Sequence, residues 1–208
     1  MQENSMKLKT GTTTMGFHYN NGIILAADRR VTAGGIVMDG DYDKVYPISD
    51  NIAITIAGSV SDIQLFTKHI KAEIKLKELQ TGRKPYVGEV ANMISGILYS
   101  AVRSMPQGVA HMIIGGTDVK GTHLYDAFMD GSLKEMPECV SSGSGSLFVY
   151  GVLDSDYKKD LSEDEAVALA EKALNAAMKR DTASGNGINI IVIPKEGEMR
   201  LIKKEVSQ

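Results

Sequence analysis

Strand-like and helix-like segments occur in separate blocks along this chain of 208 residues. Apolar periodicity and turn residues predict strands first, then two helices, a second block of strands, further helices and closing strands. A regular strand–helix alternation would favour a parallel α/β sheet. The segregated order instead predicts an α+β fold, a four-layer αββα sandwich of two mostly antiparallel sheets between helical layers.

The predicted strands are bounded by turn residues. Asn20-Asn21-Gly22 is typical of a hairpin, and Ser49-Asp50-Asn51 marks a second turn. Gly34-Gly35 and Asp39-Gly40, together with a strand-like segment at Lys44–Ile48, suggest another hairpin. The other strands are predicted at Thr12–Tyr19, Gly22–Asp28, Ile52–Ala57, Ala110–Gly115, Thr122–Phe128, Leu133–Met136, Ile188–Pro194 and Met199–Ile202.

Amphipathic spacing predicts helices over residues 62–80, over 87–105, and from Ser162 to about Asp181. Gly82 stops the first helix and Pro106 the second. Ser162 and Glu165 form a capping box at the start of the third. The buried stripe of the first helix is predicted to contain Ile63, Phe66, Ile70 and Ile74.

The serine- and glycine-rich segment Ser141–Ser146 is predicted to be a flexible loop before the apolar run Leu147–Leu153. Glycine-rich loops can bind phosphate groups, but the dinucleotide pattern would need a third glycine where Phe148 stands. No Gly-Lys-Ser/Thr follows either. The sequence therefore gives little support for nucleotide binding.

Composition excludes several classes of protein. With 43% hydrophobic and 24% charged residues, the chain is typical of one globular domain, and no apolar run is long enough to span a bilayer. We expect a cytoplasmic protein without a membrane partner, because no signal-peptide core precedes residue 12. The net charge of −3 argues against nucleic-acid binding.

Neither a metal nor a cofactor is predicted. The single cysteine, Cys139, excludes an internal disulfide and is interpreted as a small core residue rather than a nucleophile. The histidines are too far apart in sequence for a metal-ligand spacing; they are His18, His69, His111 and His123.

The junction between Gly11 and Thr12 carries the strongest indication of chemistry. Cleavage there would leave Thr12 with a free α-amino group beside its own hydroxyl. A terminal amine is one of the few groups that can take a proton from a threonine hydroxyl near neutral pH. The alternative is that the run Thr12–Thr14 simply begins a strand.

Six motifs occur in the order and spacing of proteasome β subunits, and the match spans nearly the whole chain from Thr12. The motifs are Gly11-Thr12-Thr13-Thr14, Ala27-Asp28-Arg29-Arg30, Lys44, Ala57-Gly58, Ser142-Gly143-Ser144-Gly145-Ser146, and Arg180-Asp181-x-x-Ser184-Gly185. The chain therefore resembles this family, and the brief leader resembles archaeal members. The resemblance implies the N-terminal nucleophile hydrolase fold and a threonine peptidase activity.

By this resemblance, Thr12 matches the nucleophile, Lys44 the neighbouring lysine, and Asp28 the carboxylate that holds that lysine. An ammonium nearby disfavours a second positive charge, so it lowers the pKa of the terminal amine from about 8. More of the amine is then neutral and able to act as a base. Asp28 offsets the cost of burying Lys44.

Four further positions match catalytic residues of the family. Gly58 corresponds to the residue whose backbone N–H forms the oxyanion hole. Ser144, Asp181 and Ser184 match residues that orient the new amine and a water. Structural alternatives remain for these three, since serines beside glycines often cap helices and Asp181 could close a helix end.

The same resemblance implies how substrate binds. Thr32, Gly58 and Val60 would hold an extended peptide by backbone pairing, which is indifferent to sequence. The first specificity pocket would be lined by uncharged side chains, so we expect cleavage after large apolar residues. These side chains are Val31, Tyr42, Ile56 and Val60.

The resemblance also implies a division of the chain and a set of partners. Residues 1–11 would be a propeptide removed by self-cleavage, and residues 12–208 a single catalytic domain. Expected partners are identical β subunits in a ring of seven, α-subunit rings, an ATPase regulator and unfolded protein substrates. A non-catalytic ring subunit is the main alternative, although such subunits usually lose the threonine, the lysine or the cleavable glycine.

Overall fold

The computed structural model describes residues 11–104 and 110–206. The leader before Gly11 and the predicted helix end at Met105-Pro106 lie outside these residues. The described strands are β1 (Thr13–Tyr19), β2 (Gly22–Asp28), β3 (Val31–Ala33), β4 (Ile36–Asp39), β5 (Val45–Pro47), β6 (Ile52–Gly58), β7 (Ala110–Asp118), β8 (Gly121–Ala127), β9 (Leu133–Glu135), β10 (Cys139–Gly143), β11 (Ile188–Pro194) and β12 (Arg200–Lys204). The described helices are α1 (Val60–Thr81), α2 (Val87–Ser104), α3 (Ser146–Asp156) and α4 (Glu163–Met178).

Two five-stranded antiparallel sheets form the centre of the molecule. Sheet I has the order β10-β1-β2-β11-β12, and sheet II has the order β5-β6-β7-β8-β9. Their cores lie in three layers: α1 and α2 pack on sheet II, α3 and α4 pack on sheet I, and a third apolar layer fills the space between the sheets. The predicted α+β fold with αββα layers is confirmed.

Strand β2 shows why both faces of sheet I are apolar. Ile24 and Ala26 contact the helical layer, whereas Ile23, Leu25 and Ala27 contact sheet II. Successive side chains of a strand point to opposite faces, so a strand buried on both sides must be apolar throughout. The seven residues of β2 are all buried, and its last residue is the charged Asp28.

The helices follow the predicted signals. The four apolar residues predicted for α1 are its buried residues, and Gly82 ends the helix in the left-handed conformation at φ 66°. The hydroxyl of Ser162 accepts from the Glu165 N–H, and the Glu165 carboxylate accepts from the Ser162 N–H, so the predicted capping box is present. In the described part of the chain, we find no helix with the length and hydrophobicity that a membrane crossing requires.

Two sequence predictions were wrong. Residues Ser141–Gly143, predicted as loop, belong to strand β10, which pairs with β1. The Ser141 hydroxyl donates to the Thr14 carbonyl (2.8 Å), and the Ser142 hydroxyl is hydrogen-bonded to that of Thr14 (2.8 Å). Their polar side chains are therefore satisfied inside the sheet, which composition alone does not reveal. A paired strand also differs from the loop that phosphate binding would need.

The second correction concerns the hairpin after Arg30. It is formed by β3 and β4 across Gly34-Gly35, whose φ angles of 60° and 87° suit a tight two-residue turn. The segment after Lys44, predicted to belong to this hairpin, pairs with β6 instead. Lys44 consequently lies directly before β5 of sheet II and not in the separate hairpin.

Candidate active site

The carboxylate of Asp28 is the common acceptor of the site. It lies at the end of β2 and is fully buried. Its Oδ1 accepts from the Thr13 N–H (2.9 Å) and from Lys44 Nζ (2.8 Å), and its Oδ2 accepts from the backbone N–H groups of Arg30 and Gly185 (both 3.0 Å). Four donors therefore converge on this one carboxylate.

Lys44 is buried beside it, with a side chain that is only 1% exposed. Its ammonium donates to Asp28 Oδ1 and to the Arg30 carbonyl oxygen (2.5 Å). Burial lowers the pKa of Lys44, and the attraction and hydrogen bond of Asp28 act in the opposite direction. Asp28 thus opposes the effect of burial on this ammonium.

Thr12 precedes β1 and is nearly buried. Its hydroxyl donates to the carbonyl oxygen of Gly11 (2.7 Å), and its N–H donates to Ser144 Oγ (3.3 Å). Its own carbonyl accepts from the Ser144 N–H (2.8 Å). Because the next residue, Thr13, is bonded to Asp28, the start of β1 and the Lys44 ammonium are fixed on one carboxylate.

Ser144, Asp181 and Ser184 form a second polar cluster next to Thr12. Asp181 lies in the loop after α4, and its Oδ2 accepts from the hydroxyls of Ser144 (2.6 Å) and Ser184 (2.7 Å). The Ser184 hydroxyl is also hydrogen-bonded to that of Thr13 (2.7 Å). The structure therefore brings together these three predicted residues, which lie on either side of α3 and α4 in sequence.

The predicted substrate-binding residues occupy the surrounding elements. Thr32 in β3 is buried, and its hydroxyl accepts from the Gly11 N–H (3.2 Å). Val31 precedes it in the same strand. The remaining positions lie in or next to sheet II. Tyr42 precedes β5, Ile56 lies in β6, Gly58 ends β6, and Val60 begins α1.

Burial distinguishes among these residues. Val31, Tyr42, Gly58 and Val60 are partly accessible. Ile56 is fully buried in the apolar layer between sheet II and its helices, against which Tyr42 packs.

Sequence reasoning assigned no role to several groups that complete the site. The Thr13 N–H and hydroxyl, the Arg30 N–H and carbonyl, and the Gly185 N–H all bond to predicted site residues. Most of these are backbone groups, which every residue carries, so residue type gives no signal for them. Only the location of Thr13, Arg30 and Gly185 within three of the matched motifs could have drawn attention to them.

A cavity of about 360 Å³ lies at the opposite end of the sandwich, between the β11–β12 hairpin and the segment before α2. Its charged residues have partners, since Lys84 pairs with Asp50 (2.8 Å) and Asp118 accepts from the Val87 N–H (2.8 Å).

Within residues 11–104 and 110–206, no group of three or more His, Cys, Asp or Glu side chains could hold a metal ion.

Cys139 packs on the layer between sheet I and its helices. Burial raises the pKa of its thiol, so the nucleophilic thiolate is disfavoured. Cys139 is only partly buried, so it lies at the edge of the core rather than inside it.

The sandwich, with a threonine at the start of a central strand beside a buried lysine–aspartate pair, defines the class of N-terminal nucleophile hydrolase folds. The family model described as "Proteasome subunit" matches residues 8–193 of this chain. The chain therefore belongs to the proteasome subunit family, and its relatives identify it as a β subunit of archaeal type.

Three of these relatives are proteins named proteasome subunit beta. That of Archaeoglobus profundus is 39% identical over 202 residues, covering 97% of this chain and 93% of the relative. That of Methanocorpusculum labreanum is 40% identical and covers 94% and 92%. That of Methanocaldococcus vulcanius is 40% identical and covers 98% and 91%. The chain is accordingly a subunit of a proteasome core and a peptidase of the proteasome type.

Proposed function

We propose that this chain is a threonine endopeptidase in which Thr12 becomes the N-terminal nucleophile when residues 1–11 are removed. The observation that carries the proposal is the buried Asp28 carboxylate, which binds both the Lys44 ammonium and the residue next to Thr12. A buried lysine–carboxylate pair is costly to maintain for stability alone. Its location beside a threonine that can acquire a free amine favours a catalytic role.

In substrate cleavage, the Thr12 amine takes the proton of the Thr12 hydroxyl, whose oxygen attacks the scissile carbonyl carbon. The Gly58 N–H stabilises the negative charge that develops on the carbonyl oxygen. The carbon–nitrogen bond breaks, the leaving amine receives the proton, and an ester on Thr12 remains. Water then hydrolyses the ester, which releases the peptide acid and restores the hydroxyl.

Lys44 supports both steps electrostatically. Its positive charge lowers the pKa of the terminal amine below about 8, which leaves the amine neutral and basic near pH 7. The same charge eases loss of the hydroxyl proton. Ser144, Asp181 and Ser184 are proposed to orient the amine and the attacking water, since Ser144 already accepts a hydrogen bond from the Thr12 nitrogen.

Leader removal uses the same nucleophile. The Thr12 hydroxyl, which lies 2.7 Å from the Gly11 carbonyl oxygen, attacks the carbon of that carbonyl. The Gly11–Thr12 amide becomes an ester as its nitrogen takes up the proton. Hydrolysis by water then gives a Gly11 carboxylate and a Thr12 with a free amine. We therefore divide the chain into a propeptide, 1–11, and a catalytic domain, 12–208.

Thr12→Ala tests this proposal. After co-expression with an α subunit, we expect the wild type to begin at Thr12, as measured by intact mass and N-terminal sequencing. The variant should retain Gly11 and the residues before it, because alanine has no hydroxyl to attack the Gly11 carbonyl. Retention of the leader by both proteins in assembled particles would favour a non-catalytic subunit, although Gly11, Thr12, Asp28 and Lys44 are all present.

Cleavage after apolar residues is a separate prediction. The four residues assigned to the pocket are uncharged; Val31, Tyr42 and Val60 are partly accessible, and Ile56 is buried. A charged side chain would lose its hydration there without gaining a partner. We expect fluorogenic peptides ending in Leu or Tyr to be cleaved at least about tenfold faster, in kcat/KM, than those ending in Glu or Arg. Faster cleavage of an acidic or basic peptide would contradict this assignment of the pocket.

The proposed assembly is a ring of seven identical β subunits, stacked with α-subunit rings and supplied with unfolded protein by an ATPase. Membership in the proteasome family supports assembly with other subunits. The exposed apolar residues of strand β4 support it as well, since Ile36 and Met38 are 67% and 66% exposed.

A further inference from the structure

Gly11 is held on both sides of its α-carbon. Its N–H donates to the Thr32 hydroxyl (3.2 Å), and its carbonyl oxygen accepts from the Thr12 hydroxyl (2.7 Å). Gly11 is also buried. The residue before the nucleophile therefore has little freedom to shift toward either side.

The α-carbon of Gly11 faces Ala183. A β-carbon added at Gly11 would lie 1.8 Å from the Ala183 β-carbon, and 3.1 Å from both the Ala183 α-carbon and Ser144 Oγ. Real β-carbons essentially never come within 3.0 Å of another heavy atom, so the conflict with the methyl group exceeds 1 Å. That methyl group alone accounts for the severe overlap, since the other two contacts are merely tight.

Ala183 cannot simply move away. Its N–H donates to Asp181 Oδ1 (3.1 Å), and the neighbouring Ser184 hydroxyl donates to Asp181 Oδ2 (2.7 Å). Two residues further, the Gly185 N–H is bonded to the buried Asp28 carboxylate (3.0 Å). A shift of Ala183 would disturb the hydrogen bonds that hold the catalytic groups.

We propose that Ala183 is the residue that restricts leader removal to a glycine–threonine junction, because its methyl group occupies the space that any side chain at position 11 would need. The inference rests on the proposed self-cleavage at Gly11–Thr12. Ala183 acts here as a specificity-determining residue through packing alone, without contacting the reacting atoms.

This restriction belongs to leader removal rather than to substrate cleavage. In the leader, the attacked carbonyl and the attacking hydroxyl lie on adjacent residues, so the chain must turn and presents Gly11 to Ala183. A separate peptide bound in extended form along β3 enters without that turn. Apolar residues before a substrate's scissile bond are thus compatible with a glycine requirement in the leader.

A double-mutant cycle tests the proposal. Wild type, Gly11→Ala, Ala183→Gly and the double variant are each assembled with the α subunit, and leader loss is followed over time by intact mass. We expect Gly11→Ala to slow leader loss about 100-fold, because displacement by about 1 Å is sufficient for such a loss. The double variant should lose its leader about tenfold faster than Gly11→Ala, since only tight contacts would remain at position 11.

The outcomes separate this inference from the proposed function. Leader loss from Gly11→Ala at the wild-type rate would overturn the role of Ala183, and so would a double variant no faster than Gly11→Ala. The Gly11→Ala variant alters only the leader, so its result does not depend on whether the segment around position 183 tolerates glycine. Retention of the leader by the wild type would contradict the proposed self-cleavage itself. Loss of the leader from Thr12→Ala at the wild-type rate would contradict it too.

Discussion

Replacing Lys44 with methionine is expected to lower the kcat of the processed enzyme by about three orders of magnitude, a loss within the range for removing a group that assists proton transfer. Methionine is similar in length but carries no charge. Without the neighbouring ammonium, the terminal amine of Thr12 would be protonated more readily, and the hydroxyl would lose its proton less easily. Both effects act on the chemical step, so KM should change far less than kcat.

The pH profile gives this prediction a direction. In the proposed mechanism, the Lys44 charge lowers the pKa of the Thr12 amine in the wild type, so the amine becomes a usable base at a lower pH. In Lys44→Met, the pKa of that amine returns toward about 8, and the acid limb of the kcat/KM profile should move to higher pH. The variant should be made without the leader, so that its activity does not depend on self-cleavage.

Lys75→Met is the matched control, because the Lys75 side chain is 70% exposed and pairs with Glu78 on the surface of α1. We expect its rate and its pH profile to equal those of the wild type. A Lys44→Met enzyme within about fivefold of the wild-type kcat, or with an unshifted acid limb, would remove Lys44 from the mechanism.

Replacing Asp28 with asparagine is expected to destabilise the full-length chain by about 3–5 kcal/mol, the usual cost of removing one partner from a buried ion pair. Asparagine has nearly the same volume but offers one acceptor oxygen and one NH₂ group. The carboxylate accepts two bonds at each oxygen, so in either orientation the NH₂ group would face two donors: Thr13 N–H and Lys44 Nζ, or Arg30 N–H and Gly185 N–H. The Lys44 ammonium would lose its buried counter-charge as well.

Urea unfolding of the full-length chain measures the change in the free energy of unfolding. Asp50→Asn is the control, because Asp50 also binds a lysine at 2.8 Å, namely Lys84, but both side chains are largely exposed, at 83% and 61%. Water replaces such an exposed partner, so we expect little change. Equal effects of the two substitutions would show that burial of Asp28 does not determine its contribution.

Local sequence signals predicted the elements well where one physical cause dominated. The stripe Ile63–Ile74 defined α1, Gly82 ended it, and Ser162 with Glu165 began α4. The prediction failed at Ser141–Gly143 because small polar residues have no strong preference of their own. Their strand is decided by pairing with β1, which lies more than a hundred residues earlier in the chain.

The residue pattern was enough to predict the order of strands and helices, and hence the layered fold. The Gly11–Thr12 junction pointed to Thr12, whereas Asp28 and Lys44 were predicted as site residues through the resemblance to proteasome β subunits. How these groups are held follows only from the tertiary structure. The Gly185 N–H reaches Asp28 across 157 positions, and Ala183 faces Gly11 across nearly the whole chain. Every residue except proline carries the same backbone donor, and the effect of a methyl group depends on which atoms it contacts. Such contacts arise from packing and are not encoded in any local pattern.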